Sequence, residues 1–285
     1  MAVVGIIVHP EREQAAELAR DVLAWLRERG HEVRLPRHDA AVLGEAEAGI
    51  AEATFARGLD VALSLGGDGT MLRTVDLVAG EGVPVIGVNV GQLGYLTEVE
   101  PAGIRMALKR FLAGSYEIEE RMLLAVSVEA EGFDDGAVHL ALNEAVLEKT
   151  PMGHTVRLGV SVDGEAFTPY AADGLIVATP TGSTAYAFSA RGPIVEPTHR
   201  CLLMTPVSPH MLFDRTLVLA PGATVRIEVL GDRDATLSVD GSNLGTLRPG
   251  DAIRATGAAG SARFVTFGPR DFLRLLKTKF GLNDR

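Results

Sequence analysis

The sequence predicts an α/β domain built on a parallel sheet, then an all-β domain, then a C-terminal helix returning to the first domain. Three observations carry this. Over residues 1–114, short apolar runs alternate with segments of helical period, the order that parallel sheets produce. After Gly114 the helical period nearly vanishes, and short alternating runs with turn residues between them take over. The tail, Asp271 to Phe280, regains helical spacing through Phe272, Leu273, Leu275 and Leu276, and has no place in a β-domain. The expected divisions are residues 1–114, 115–267 and 268–285, with the last packing on the first.

Within the first domain, Val3 to Val8 reads as a strand buried on both faces, ended by His9-Pro10. Glu11 to Arg29 carries Ala15, Leu18, Ala19, Val22 and Leu26 at helical spacing, and Gly30 closes it. His31 to Leu35 is a second strand, which completes a strand–helix–strand unit and makes the domain Rossmann-like. Ala40 to Arg57, rich in Ala and Glu, is expected to be helical. Asp60 to Leu65 and Pro84 to Val88 are strands, with a helix over Thr70 to Ala79 between them and another over Pro101 to Leu112. In the second domain, strands are expected at Met122–Glu129, Val138–Leu147, Thr155–Val162, Leu175–Ala178, Val225–Val229 and Ala235–Val239. Asp163-Gly164 and Asp240-Gly241 are hairpin signals.

Composition narrows the class. The chain has 285 residues, 47% hydrophobic and 22% charged, enough to bury a real core. Its net charge of −10, from 27 basic and 37 acidic residues, argues against a nucleic-acid partner, and no basic stripe appears. Any anionic ligand must meet locally placed positive charge. A single cysteine, Cys201, excludes an intramolecular disulfide, and its apolar neighbours predict a buried, inert thiol. No apolar run approaches the ~20 residues a bilayer span needs, and the N-terminus reads as a strand, not a signal peptide. The expected setting is the cytoplasm, with no membrane contact.

The chemistry is concentrated in four stretches. Leu65-Gly66-Gly67-Asp68-Gly69-Thr70 is a strand running through a glycine turn into a helix, an arrangement that holds phosphate on free N–H groups. Asp68 would repel such a ligand, so a carboxylate there must serve some purpose. It can accept a proton from an attacking hydroxyl, help to hold magnesium, or simply cap the helix. A second glycine turn, Gly91-Gln92-Leu93-Gly94-Tyr95-Leu96-Thr97, follows the strand expected beside the first, where ligands of open α/β sheets bind. Asn143-Glu144 interrupts an apolar run: either one side chain points inward and needs a partner, or a strand end leaves both in water. Finally, Asp173-Gly174 precedes a buried strand that runs into Thr179, Thr181, Ser183 and Thr184 around Gly182, small donors suited to ribose or phosphate oxygens. Tyr186 is placed to stack on a base, and Arg73, His154, Arg157 and Arg191 are candidates for local positive charge.

These motifs, in this order and spacing, resemble those of the NAD kinases over nearly the whole chain. Gly66-Gly67-Asp68-Gly69 is shared with lipid kinases and 6-phosphofructokinases; Thr179-Pro180-Thr181-Gly182-Ser183-Thr184-Ala185-Tyr186 is far more specific. The resemblance implies transfer of the ATP γ-phosphoryl group to the adenosine 2′-hydroxyl of NAD, giving NADP. It implies Asp68 as the proton acceptor with Gly69 beside it, and Arg73 near the phosphates. Dinucleotide contacts are implied for Asn143, Glu144, His154, Asp173, Thr181, Thr184, Ala185, Tyr186, Ala187, Phe188 and Ser189. It further implies a divalent cation (Mg2+) with ATP as donor, and a homodimer or homotetramer formed through the β-domain; polyphosphate in place of ATP is an alternative donor the sequence does not decide. Ala171 stands where relatives often carry a longer polar or basic residue, and Ser242 where many have glutamine. Two other readings are a diacylglycerol-type lipid kinase, which explains only the glycine turn, and a non-catalytic dinucleotide sensor, which leaves Asp68 without a purpose.

Overall fold

The computed structural model describes residues 1–91, 94–134, 136–150, 154–269 and 271–282; Gln92 and Leu93 of the second glycine turn lie outside them. The chain forms two compact units, one of residues 1–120 with 262–285 and one of residues 121–261.

The first unit opens with β1 (Val3–Val8), α1 (Glu13–Arg27), β2 (Glu32–Pro36), α2 (Arg37–Leu43), β3 (Gly49–Ile50) and α3 (Glu52–Phe55). It continues with β4 (Val61–Gly66), α4 (Asp68–Val78), β5 (Val85–Asn89) and α5 (Ile104–Leu112). The strands lie in the order β3-β2-β1-β4-β5, and every neighbouring pair is parallel. β4 is buried at all six positions, as a strand covered on both faces requires. Ile6, Leu63, Ile86 and Val88 from the sheet pack with Val22 and Leu26 of α1 and with Leu108 and Phe111 of α5. The strand order runs one way from β1 to β2 and β3, and the other way from β4 to β5. A switch point therefore falls between β1 and β4, and the crevice at their carboxyl ends is where such sheets bind ligands.

The second unit takes up most of β6 (Glu117–Glu129), then β7 (Val138–Ala141), β8 (Glu144–Lys149), β9 (Val156–Val162), β10 (Glu165–Ala172) and β11 (Gly174–Ala178). A short helix, α6 (Tyr186–Ser189), precedes β12 (Leu202–Val207), β13 (Leu217–Leu219), β14 (Thr224–Leu230), β15 (Ala235–Val239), β16 (Ser242–Leu247) and β17 (Ala252–Thr266). One sheet contains β10-β9-β14-β17 with β6 and β7; the other is β13-β12-β11-β8-β15-β16. The core between them holds Leu124, Leu158, Val160, Val225 and Ile227 from the first, and Leu147, Leu175, Val177, Met204 and Leu237 from the second. Strands β14 and β15 alternate strictly between buried and half-buried positions, the period of a sandwich. β11 is buried throughout because a smaller cluster of Ile176, Ala178, Ala187, Cys201 and Leu203 covers its other face. Cys201 is buried there, and burial pushes its thiol pKa up. The tail helix α7 (Phe272–Phe280) belongs to the first unit; Asp271 caps it by accepting the Arg274 N–H at 2.9 Å, and Lys279 lies over the Tyr95 ring.

Several elements differ from the sequence reading. Ala40 to Arg57 is not one helix: Gly44, at φ 81°, ends α2, and Gly49-Ile50 pairs with Leu35-Pro36 in a short strand before α3. Gly49 is required there, since a Cβ would lie 2.8 Å from the Arg37 Cα. Val138 to Leu147 is two strands in different sheets, broken at Leu142-Asn143. Strands β10, β12, β13, β16 and β17 carry too little alternation or too many small residues to be foreseen. The crossings between units, at residues 120/121 and 261/262, lie inside β6 and β17, whereas residues 114/115 and 267/268 were expected. Asp163-Gly164 and Asp240-Gly241 are the hairpin turns they promised to be, with positive φ at all four residues. Among the described residues no helix is long and apolar enough to cross a membrane.

Candidate active site

The first unit presents a pocket of about 370 Å³ at the switch point, lined by Val8 at the end of β1, by His9 and Arg12 beyond it, and by Gly67 to Thr70 and Arg73 after β4. The glycine turn is shaped by contact. The Thr70 side chain folds over Gly66, where a Cβ would lie 2.7 Å from the Thr70 Cβ. The Thr70 hydroxyl is buried and has no partner.

Asp68 is the first residue of α4, and its side chain does not cap the helix. Its carboxylate instead accepts the N–H groups of Tyr95 at 2.9 Å and Leu96 at 3.0 Å, both in the second glycine turn. Gly94 makes this possible, because a Cβ there would lie 2.7 Å from the Asp68 carboxyl carbon. The first glycine turn thus supplies the acid and the second clamps it. Burial, and then the Asp68 charge, push the Tyr95 phenol above its usual range.

Of the basic candidates, Arg73 reaches the pocket wall but is committed elsewhere. Both of its terminal nitrogens meet Asp39, which is fully buried on α2 and also accepts the Val8 N–H at 2.8 Å. A residue passed over in the sequence, Arg12, lies in the same pocket. Its Nη1 donates to the Val90 carbonyl.

In the second unit the break at Leu142-Asn143 is held by one side chain. The Asp240 carboxylate accepts the N–H groups of Leu142, Asn143 and Glu144 at 2.7, 2.8 and 3.1 Å. Glu144 therefore begins β8 as a buried carboxylate, with Oε2 lacking any partner. Burial first, and the Asp240 charge second, raise its pKa to about 8, against the pull of the Tyr186 N–H, which donates to it. Gly182 packs on this turn so closely that a Cβ would lie 2.6 Å from the Asn143 carbonyl carbon, and Thr179 donates its N–H to that residue's oxygen at 2.8 Å.

The hydroxyl cluster divides into structure and orphan. Thr179 bonds the Leu142 carbonyl and accepts the Gly182 N–H, Ser183 both donates to and accepts from Val195, and Thr184 donates to Thr181. Three of the four hydroxyls thus close the loop on itself. Only the Thr181 hydroxyl is buried without a partner. Ala185 bonds back to Gly182, and Ala187 is buried under the sheet, leaving Tyr186, Phe188 and Ser189 exposed on the outer side of α6. Tyr186 and Ser189 line a second pocket, of about 380 Å³, with Arg191 and Asp214. Asp173 pairs with Lys149 at 2.9 Å, and its charge helps raise the Tyr186 phenol, after burial and Glu148. His154 and Arg157 are exposed, and His154 makes no hydrogen bond with these groups.

The site residues therefore fall into two sets: Asp68, Gly69 and Arg73 in the first unit, and Asn143, Glu144, Thr181 and the residues of α6 in the second. Four side chains that organise them, Arg12, Asp39, Lys149 and Asp240, were not read as such from the sequence. For Arg12 a signal existed: it stands at the N-cap of α1, where helix electrostatics favour an acid.

An acid fixed at a glycine turn beside a pocket, in a chain that also carries a sandwich with an unpartnered buried carboxylate oxygen and hydroxyl, defines a nucleotide-handling protein of the α/β-plus-β class. Comparison with known proteins narrows that class. The ATP-NAD kinase N-terminal domain family matches residues 4–116, and the ATP-NAD kinase C-terminal domain family matches residues 142–267. The NAD kinase of Syntrophotalea carbinolica is 38% identical over 283 residues, with 99% of each chain covered. That of Heliobacterium modesticaldum is 40% identical over 280 residues, covering 98% of each. Among solved structures, yeast NADH kinase complexed with NADH superposes with a TM-score of 0.92 at 26% identity, covering 100% of this chain and 89% of that one. An NAD kinase from Archaeoglobus fulgidus in complex with ATP gives 0.71 at 25% identity, covering 99% and 98%. The chain belongs to the NAD kinase family.

Proposed function

We propose that this protein transfers the γ-phosphoryl group of ATP to the 2′-hydroxyl of the adenosine ribose of NAD, making NADP. The observation that carries the reading is Asp68: a carboxylate clamped by two backbone N–H groups at the carboxyl end of β4, in a pocket otherwise built for anions. Phosphoryl transfer asks a protein mainly to position groups and stabilise charge. The clamp fixes the Asp68 oxygens while leaving lone pairs free to take the hydroxyl proton as the new O–P bond forms and the bond to ADP breaks. Asn143, Glu144 and Thr181 supply the polar groups for ribose and base edges, and Tyr186 and Phe188 give faces for stacking. Asp173 and His154 are assigned to the dinucleotide on family resemblance. The domain roles follow: the α/β unit handles the donor phosphates, and the β unit holds the dinucleotide.

Among the described residues no three His, Cys, Asp or Glu side chains converge as a metal site. A nucleotide-borne Mg2+ needs only one or two protein carboxylates, and Asp68 fits that need. When bound, Mg2+ neutralises charge on the phosphate oxygens. We further assign a cytoplasmic setting and a homodimer or homotetramer formed through the β unit, which light scattering tests.

The deciding assay combines purified protein, NAD and Mg-ATP with a coupling enzyme that responds only to NADP, with polyphosphate as a parallel donor. NADP formation is expected. Intact NAD binding without NADP would mean a sensor, and phosphorylated lipid in place of NADP would mean a lipid kinase.

A further inference from the structure

We propose that Arg12, a residue outside the glycine motifs, is the side chain that takes the polyphosphate of the donor nucleotide; this rests on the kinase reading and names the binding residue within it. The pocket at the switch point receives the N-termini of two long helices, α1 and α4, so its backbone already favours an anion. It also contains the negative charge of Asp68, which a polyphosphate must tolerate. Two guanidinium groups reach the pocket, and they are not equivalent. The Arg73 charge is cancelled by buried Asp39, which fixes its two terminal nitrogens and ties them to the end of β1. Arg73 is thereby a brace of the pocket wall.

Arg12 has no carboxylate within ion-pair distance among the described residues. Its one hydrogen bond among the described residues, from Nη1 to the Val90 carbonyl, leaves most of its five donors unused by them. That bond places the guanidinium against Gly91, where a Cβ would lie 3.1 Å from the guanidinium carbon and nearer still to Nη1, and where the backbone, at φ 129°, favours glycine. A planar, permanently charged fork held at one corner over a pocket with the unpartnered Thr70 hydroxyl suits bidentate contact with phosphate oxygens. His9, the remaining basic candidate in the pocket, uses Nδ1 to accept the Glu11 N–H at 3.2 Å.

The test is Arg12→Gln and Arg12→Lys in the full chain, with kinetics against ATP and NAD separately, calorimetric titration of ATP without NAD, and thermal melting. Arg12→Gln is expected to raise the KM for ATP by about ten- to a hundred-fold and weaken ATP binding alike, with the KM for NAD and the melting temperature little changed. Arg12→Lys should recover part of the loss, since charge returns without the fork. Unchanged ATP binding in Arg12→Gln overturns the proposal. So does a joint rise in both KM values with a lowered melting temperature, which would make Arg12 a mere brace of the Val90-Gly91 turn. If the native chain makes no NADP yet binds ATP through Arg12, the kinase reading fails while this one stands.

Discussion

At the scale of single residues, two carboxylates behave in opposite ways. Asp68 is held by two N–H donors at a pocket mouth, and Glu144 is buried with an oxygen unpartnered. Asp68→Asn keeps the shape but only one of the two clamping N–H bonds, since its amide nitrogen cannot accept, and it cannot take up a proton. Turnover should fall by about two to four orders of magnitude while NAD binding by calorimetry stays near native; equal losses in both would remove the base assignment. Glu144, with its pKa raised to about 8 by burial and Asp240, is a stability device with a defined pH sign. Its folded pKa exceeds its unfolded one, so its contribution is complete below the unfolded value and is lost as pH rises through about 8. The native melting temperature should therefore drop more steeply than that of Glu144→Gln between about pH 5 and about pH 9. Each pH step of about one between the unfolded and folded pKa removes about 1.4 kcal/mol from the native protein. Parallel melting curves for the two proteins would show that Glu144 ionises freely. The acid of the glycine turn stood out in the sequence because a carboxylate beside a phosphate cradle needs a task, and the structure removes one of the three tasks by showing that its side chain does not cap the helix. The Glu144 environment was half legible: the sequence showed a polar pair in an apolar run, but Asp240, the residue that decides it, lies almost a hundred positions away.

At the scale of elements, the two turns that build the sites depend on glycines chosen for close approach. Gly182 lets the hydroxyl loop rest on the Asn143 backbone. Gly182→Ala should overpack this contact, cost about 1–3 kcal/mol, and loosen NAD binding more than ATP binding; a native melting temperature in that variant would contradict the packing. The elements that escaped the sequence did so for identifiable reasons. β17 contains Ala255-Thr256-Gly257-Ala258-Ala259-Gly260-Ser261, small residues with no apolar alternation, although it is the longest strand. The stretch from Ala40 to Arg57 has good helix formers, but Gly44 and Gly49 cut it, and pairing with β2 outweighs propensity. Arg12 was not singled out in the sequence, because its place at the pocket depends on the Val90 carbonyl, far along the chain, accepting its N–H.

At the scale of the whole molecule, the formal charge of −10 makes the pocket a local exception on an acidic chain. The two units are also not strung on loops. Both crossings fall within strands, β6 and β17, each contributing residues to both units. Unfolding either unit therefore strips backbone partners from strands that continue into the other. Heating should give one calorimetric transition with matching calorimetric and van't Hoff enthalpies, and two resolved peaks would show independent units.

The same two strands bear on how such a protein can be inherited in parts. Domains joined by exposed loops can be exchanged by recombination at the linker, and the linker is where proteases nick the chain. Here a cut at residues 120/121 or 261/262 would divide a strand and leave half a ladder on each side. A chimaera that borrows a relative's β unit should work only when its junctions move outward to the turn at Gly114 and past Thr266, so that β6 and β17 arrive whole from one parent.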